Sequence, residues 1–328
     1  MENEHHTICL LLDSRTYGGI ETHVSHLAKG LVVMGHKVSI VLITDHGFHP
    51  VFERDEFTQN ITYKADVGLF SLLNLLNDLN VDLIPTHGYK AGIIGRLLKV
   101  FHRKPLISTF HAGEKGNLKF RLYSFLDRLT SFFSYRICVS EQIAKSIGKN
   151  VKVIQNFIEI PKEESKSENS ITKIAFVGRF SIEKGPDVFS KVAKKMPMQH
   201  FVMYGDGPML EEISASATDN LTLMGQVTSM NPHWPKISLL CITSREEGLP
   251  LVAIEALVRG VPVISYDIGG LSSVVINNQS GWLIAPFNEA AFIESIKQGQ
   301  MLSNERRSKM SLFSYLHIRN NFSCNTVI

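Results

Sequence analysis

The chain has 328 residues, 34 Lys and Arg against 31 Asp and Glu, and a hydrophobic fraction of 44%, a composition that excludes a disordered, fibrous or generically nucleic-acid-binding protein. Its four cysteines, Cys9, Cys138, Cys241 and Cys324, lack CxxC spacing, which argues against a disulfide framework or a cysteine metal site. No run approaches the ~20 apolar residues of a membrane span, and the acidic start MENEHHTICLLLDS does not read as a secretory leader, so a cytoplasmic location is expected.

Short apolar runs alternate with amphipathic helical patterns, as in parallel α/β units. The alternation predicts a strand over Thr7–Leu12, a helix over Ile20–Met34 and a strand over Lys37–Ile43. Strands follow at Leu83–Thr86, Leu106–Thr109 and Arg136–Ser140, with helices over Lys90–Phe101 and Leu118–Ser134. The polar stretch Pro161-Lys-Glu-Glu-Ser-Lys-Ser-Glu-Asn-Ser interrupts the pattern and marks a domain boundary. Beyond it come a strand over Lys173–Val177, a helix over Asp187–Lys195, a strand over His200–Tyr204 and a helix over Met209–Ala217. A strand over Leu239–Thr243, a helix from Pro250, a strand over Pro262–Tyr266 and a helix over Glu289–Ser303 complete the series. The expected fold is α/β, with two Rossmann-like doubly wound domains facing a cleft. The N-terminal acceptor domain spans 1–158, a linker 159–172, the C-terminal donor domain 173–308, and a C-terminal segment 309–328.

In such sheets ligands sit at the carboxyl ends of strands, and four loops there carry chemistry. Gly18-Gly19-Ile20-Glu21 opens a helix, where free amides and the dipole favour an anion. Gly178-Arg179-Phe180-Ser181-Ile182-Glu183-Lys184-Gly185 places a guanidinium and an ammonium on one loop, a pair suited to a diphosphate or to ordinary solvation. Gly205-Asp206-Gly207-Pro208-Met209-Leu210 fails the dinucleotide fingerprint, because Leu210 stands at the third glycine position; a nicotinamide oxidoreductase is therefore the least favoured enzyme. Asp267-Ile268-Gly269-Gly270 is a second glycine pair at a strand end. The most informative segment is Ser244-Arg-Glu-Glu-Gly-Leu-Pro-Leu-Val-Ala-Ile-Glu. It sets Glu247 before a helix start, Pro250 near the first helical position and Glu255 within the helix. Two carboxylates so placed suit a phosphorylated ligand with hydroxyls at both ends, such as a sugar-nucleotide.

Together these loops resemble the family-four retaining glycosyltransferases (glycosyl transferases group 1), which adopt the two-Rossmann GT-B fold. The resemblance rests on Gly18-Gly19-Ile20-Glu21-Thr22-His23-Val24, Gly35-His36-Lys37-Val38, Ser108-Thr109-Phe110-His111 and Val153-Ile154-Gln155-Asn156 in the first half. In the second half it rests on Phe176-Val177-Gly178-Arg179 with Lys184-Gly185, Gly205-Asp206-Gly207-Pro208, Glu247-Gly248-Leu249-Pro250-Leu251-Val252 with Glu255-Ala256-Leu257, Gly260-Val261-Pro262-Val263 and Gly269-Gly270. It implies a retaining, metal-independent hexosyl transfer with a nucleotide-diphosphate sugar as co-substrate, no cofactor, and a glycan or lipid-linked acceptor in surface polysaccharide or lipopolysaccharide synthesis. By the same resemblance Arg179 and Lys184 bind the diphosphate, and Gly18, Gly19, Gly248, Leu249, Leu251 and Val252 line the donor. Glu255 takes the ribose hydroxyls, Glu247 the sugar hydroxyls, and His111 lies against the sugar; His87 and Tyr89 are acceptor-side candidates. A sugar-nucleotide epimerase of the same fold and a catalytically idle sugar-nucleotide binder are the alternatives.

Two features depart from the family pattern. Leu271, Ser272 and Ser273 stand where a glutamate is common. Phe322-Ser323 is followed by five residues, so the closing helix that crosses back to the first domain is expected to be incomplete. The segment Arg96–Arg136 carries nine Lys and Arg against Glu114 and Asp127, interleaved with Phe120, Tyr123, Phe125, Phe132 and Phe133. It reads either as a core helix with a solvated basic face or as a surface resting on an anionic bilayer, at the inner face of the membrane.

Overall fold

The computed structural model describes residues 5–13, 18–44, 61–65, 67–111, 118–161 and 173–327; most of the expected linker, together with Ala112 and Gly113, lies outside them. The chain divides into two compact units, Met1–Phe157 with Val327–Ile328, and Ile158–Thr326.

The first unit runs β1 (Thr7–Leu12), α1 (Gly19–Val33), β2 (Lys37–Leu42), β3 (Ile61–Lys64), α2 (Leu69–Asp78), β4 (Ile84–His87), α3 (Tyr89–His102) and β5 (Leu106–Phe110). It continues with α4 (Leu118–Thr130), β6 (Tyr135–Cys138), α5 (Glu141–Ile147) and β7 (Val151–Val153). Its seven strands are parallel, in the order β3-β2-β1-β4-β5-β6-β7. The run Ile-Cys-Leu-Leu-Leu of β1 has no polar member because both faces of the sheet are covered. Cys9 and Leu11 enter one core with Leu72, Leu76, Ala91 and Leu98. Ile8, Leu10 and Leu12 enter the other with Val24, Ala28 and Ile40. Each fully buried leucine contributes about 1.5–3 kcal/mol.

The second unit runs β8 (Lys173–Val177), α6 (Pro186–Lys195), β9 (Phe201–Tyr204), α7 (Leu210–Ser216), β10 (Leu221–Gly225), β11 (Ile237–Ile242), α8 (Leu251–Val258) and β12 (Val263–Tyr266). There follow α9 (Leu271–Val274), β13 (Gly281–Ile284), α10 (Glu289–Gln300), α11 (Asn304–Phe322) and α12 (Cys324–Val327). Six parallel strands form a sheet in the order β10-β9-β8-β11-β12-β13. Aromatic rings fill one face, Phe189 meeting Phe201 edge-on at 5.4 Å and Phe176 at 5.7 Å.

The C-terminal segment is helical. One helix, α11, runs unbroken from Asn304, with the hydroxyl of Ser303 accepting from the Arg306 amide as its cap at 3.2 Å. It packs on α8 within the second unit. Its end is pinned to the chain's entry into that unit, the Ile158 amide donating to Phe322 O at 2.9 Å and Cys324 N to Ile158 O at 3.1 Å. Arg96 corrects the solvated-face reading of the basic segment. Its guanidinium is buried, paired with Asp127 and donating to Ser108 Oγ at 2.7 Å and Thr130 Oγ1 at 3.0 Å.

Candidate functional site

In the second sheet the strand order reverses between β8 and β11, which makes the loops after these two strands the natural ligand crevice. Those loops carry Arg179, Lys184 and Glu247. The Lys184 ammonium donates to both carboxylate oxygens of Glu247 at 2.9 Å, and Ser244 Oγ donates to Oε1 at 2.6 Å. The Glu247 side chain is 6% exposed and that of Lys184 30%, so the pair is shielded on the acidic side and open on the basic side. Arg179 is exposed on the same loop.

Backbone contacts lock these loops together. Thr243 Oγ1 donates to Gly185 O at 2.8 Å, and the Arg245 amide donates to Glu183 O at 2.7 Å. Gly185 has φ +66, and a Cβ there would run into the Thr243 carbonyl, so only glycine lets the Lys184 loop approach so closely. Gly269 does the same from the other side. At φ +60 it lies against the Glu247 carbonyl, and the Gly270 amide donates to Gly248 O at 2.6 Å. The third glycine loop braces Arg179's neighbour, the Phe180 amide donating to Asp206 O at 2.8 Å. Arg245 closes the arrangement with a fork onto Asp187, at 2.9 and 2.7 Å, and a bond to Ile182 O at 2.7 Å. That hydrogen-bonded fork holds Asp187 below the usual carboxylate range.

The helix start offers donors. Pro250 is the N-cap of α8 rather than its first residue, and it supplies no side-chain cap to the amides that open the helix. Gly248 is partly buried, and Leu249 and Leu251 are buried beside them. Glu255 is partly buried on the same helix; burial raises its carboxyl, and Arg259 opposes the rise. Arg259 is held by Asn231 Oδ1 at 2.7 Å and lies 6.0 Å from the Trp234 ring centre.

The first sheet reverses between β1 and β4, and again the predicted residues gather at the carboxyl edge. Gly18 caps α1, and its amide donates to Glu21 Oε2 at 2.7 Å. Burial pushes the Glu21 carboxyl up to about 7 against the stabilising amide bond. His87 Nδ1 lies 3.0 Å from His111 Nε2. His23 packs on both, with ring centres 4.7 Å from His111 and 5.4 Å from His87. One ring nitrogen of each lies within 4.8 Å of the others, a spacing open to hydrogen bonding or to a transition-metal ion. His87 was expected to face an acceptor. The residue is 1% exposed, and its Nδ1 is turned to His111. Tyr89 opens α3, partly buried, beside Lys90, whose ammonium reaches Thr44 Oγ1 at 2.8 Å and Asp13 Oδ1 at 3.2 Å.

Sequence reading missed the roles of Glu21, His23, Arg245 and Lys90. Only Glu21 left a signal, since an acid three residues after a helix-start Gly18 is half of a capping box. His23 stands in the segment that carries the resemblance, but nothing local marks it as a neighbour of His87 and His111, and nothing local marks Arg245 as the partner of Asp187.

The chain is similar to known proteins in sequence and in fold. The profile "Glycosyltransferase Family 4" matches residues 17–160, and "Glycosyl transferases group 1" matches residues 157–312. An uncharacterized glycosyltransferase of Methanocaldococcus jannaschii is 28% identical over 89% of this chain and 87% of its own length. The O-antigen biosynthesis glycosyltransferase WbnH of Escherichia coli is 25% identical over 80% and 81%. Among solved structures, Anabaena Alr3699/HepE in complex with UDP-glucose superposes with a TM-score of 0.82 at 19% identity, covering 98% of this chain and 97% of that one. The two Rossmann-like units are those of the GT-B fold, and the chain belongs to the family-four, group-1 glycosyltransferases.

Proposed function

We propose that the protein is a retaining, metal-independent glycosyltransferase that moves a hexose from a nucleotide-diphosphate sugar to a glycan or lipid-linked acceptor in surface polysaccharide synthesis. The observation that carries the reading is Lys184 held at 2.9 Å from both oxygens of Glu247, at the sheet's reversal point and beside the uncapped start of α8. A diphosphate entering there draws Lys184 and Arg179 toward itself and takes the Leu251 and Val252 amides. Glu247, released from its cation, accepts from the sugar hydroxyls, and Glu255 accepts from the ribose. As the anomeric carbon–oxygen bond breaks, the two cations stabilise charge on the leaving oxygen. The acceptor hydroxyl attacks from the same face and passes its proton to that diphosphate oxygen, which keeps the anomeric configuration. From the first unit, the backbone of Gly18 and Gly19 and the ring of His111 are proposed to meet the substrates. A carbohydrate acceptor of the surface-glycan type is supported by the O-antigen relative.

The test supplies UDP-, GDP- and ADP-hexoses with saccharide acceptors and reads the product's anomeric configuration by NMR. An α-linked donor is expected to give an α-linked product, unaffected by EDTA, with turnover falling about 100-fold or more in Glu247→Gln. An inverted product contradicts retention. An isomerised sugar-nucleotide without transfer makes the protein an epimerase, and binding without turnover makes it an idle binder.

A peripheral membrane contact is a second proposal, carried by exposed apolar stripes on α3 and α4. Leu97, Val100 and Phe101 on α3, and Leu122, Phe125 and Leu129 on α4, face outward on two helices that pack together. No described helix is long and apolar enough to cross a membrane.

A further inference from the structure

The three imidazoles of the first unit fix where their protons lie. Burial and mutual proximity push His23, His87 and His111 below the ordinary histidine range, so each ring is neutral at pH 7 and carries one proton. The 3.0 Å contact between His87 Nδ1 and His111 Nε2 needs one proton between them. The other nitrogen of His87, Nε2, is buried with no partner among the described residues. If His87 carried its proton there, a buried N–H would go without an acceptor; a bare ring lone pair is the lesser loss, and orphaned buried N–H groups are rare. The proton therefore sits on His87 Nδ1 and is donated to His111 Nε2, which leaves His111's own proton on Nδ1. His23 packs edge-on against His111, its own Nδ1 buried and without a partner among the described residues, so it fixes the plane of that ring.

The geometry points to a tautomer lock, in which His87 and His23 hold His111 as the Nδ1–H form, a hydrogen-bond donor to a ligand oxygen and not a base for the acceptor hydroxyl. Neither nitrogen of His111 is then free to take a proton, since Nε2 is already accepting and Nδ1 is protonated. His87 is thus a positioning residue. Its use by a sugar substrate rests on the glycosyltransferase reading, whereas the lock itself does not.

The test is long-range 15N–1H correlation on the full chain labelled at histidine, with His111 assigned by the signals lost in His111→Phe. The wild type is expected to show a protonated Nδ1 and a bare Nε2 on His111. His87→Asn is expected to keep that pattern, because the Asn amide nitrogen occupies the place of Nδ1 and donates. His87→Leu is expected to shift the proton to Nε2 or into exchange. With a nucleotide sugar, kcat falls on the order of 10- to 100-fold in His87→Leu and recovers in His87→Asn. A protonated Nε2 in the wild type, or an unchanged pattern in His87→Leu, overturns the lock. A lost tautomer with undiminished kcat overturns its role. If no nucleotide sugar is turned over at all, the functional reading falls and the spectra still decide the lock.

Discussion

Glu21 shows how one buried side chain sets the acid–base behaviour of a unit. Its carboxyl caps Gly18 from a position shut off from water, and burial raises it from 4.5 to about 7, a difference worth about 3 kcal/mol. The folded protein keeps the Glu21 proton where the unfolded chain has lost it. This contribution is therefore full below pH 4.5 and disappears as pH rises to about 7. The three buried histidines act in the opposite sense: their depressed values remove stability as pH falls below 6.5. Glu21→Gln retains an oxygen for the Gly18 amide and deletes the ionisation. Relative to wild type it is expected to gain up to about 3 kcal/mol between pH 4.5 and 7.5, read from urea unfolding at each pH. Parallel curves for the two proteins would show that folding does not raise the Glu21 carboxyl.

At the level of elements, legibility followed burial on both faces. β1, β8, β11 and β12 lie inside their sheets, buried along nearly their whole length, and their mostly apolar runs announce them. The edge strands β3 and β10 were not read because one face meets water: Ile61-Thr-Tyr-Lys and Leu221-Thr-Leu-Met-Gly alternate buried with more exposed residues and lack the apolar run; the edge strands β7 and β13, 3 and 4 residues long, were too short to stand out. The full length of α11 was not legible because its buried residues, Met310, Ser314, Ile318 and Phe322, form a single narrow stripe on a polar helix. The basic segment was half legible. Charge counting could not separate Arg96, which is internal, from the outward stripes of α3 and α4. Those stripes carry a prediction of their own. Phe101 and Phe125 are 71% and 61% exposed, so changing both to Ser leaves the core intact. The chain is expected to float with phosphatidylglycerol vesicles and less with phosphatidylcholine, and the double variant to lose about 10-fold in partition. Equal flotation of wild type and variant would remove the membrane contact.

For the whole molecule, the alternation of strands and helices and the ordered glycine loops were enough to read two doubly wound sheets. Each sheet places its predicted residues at the point where strand order reverses, and this is why loops far apart in sequence could be grouped before the fold was known. The pairing inside each group was not legible. Lys184 reads in sequence as one of two loop cations, yet it is bound to Glu247, and His87 reads as an acceptor contact, yet it lies beneath His111. Such partners are set by backbone approach at Gly185 and Gly269 and by burial, neither of which a linear pattern encodes. The central claim, that the Lys184–Glu247 site of the second unit takes a nucleoside diphosphate, is tested most directly by calorimetric titration of UDP, GDP and ADP into the full chain and into Lys184→Met, with both proteins' folding checked by circular dichroism. One nucleotide is expected to bind the wild type, and to bind the variant about 10- to 100-fold more weakly, the loss of one charge-assisted bond. Equal binding by both proteins, or no binding of any of the three to the wild type, would contradict it.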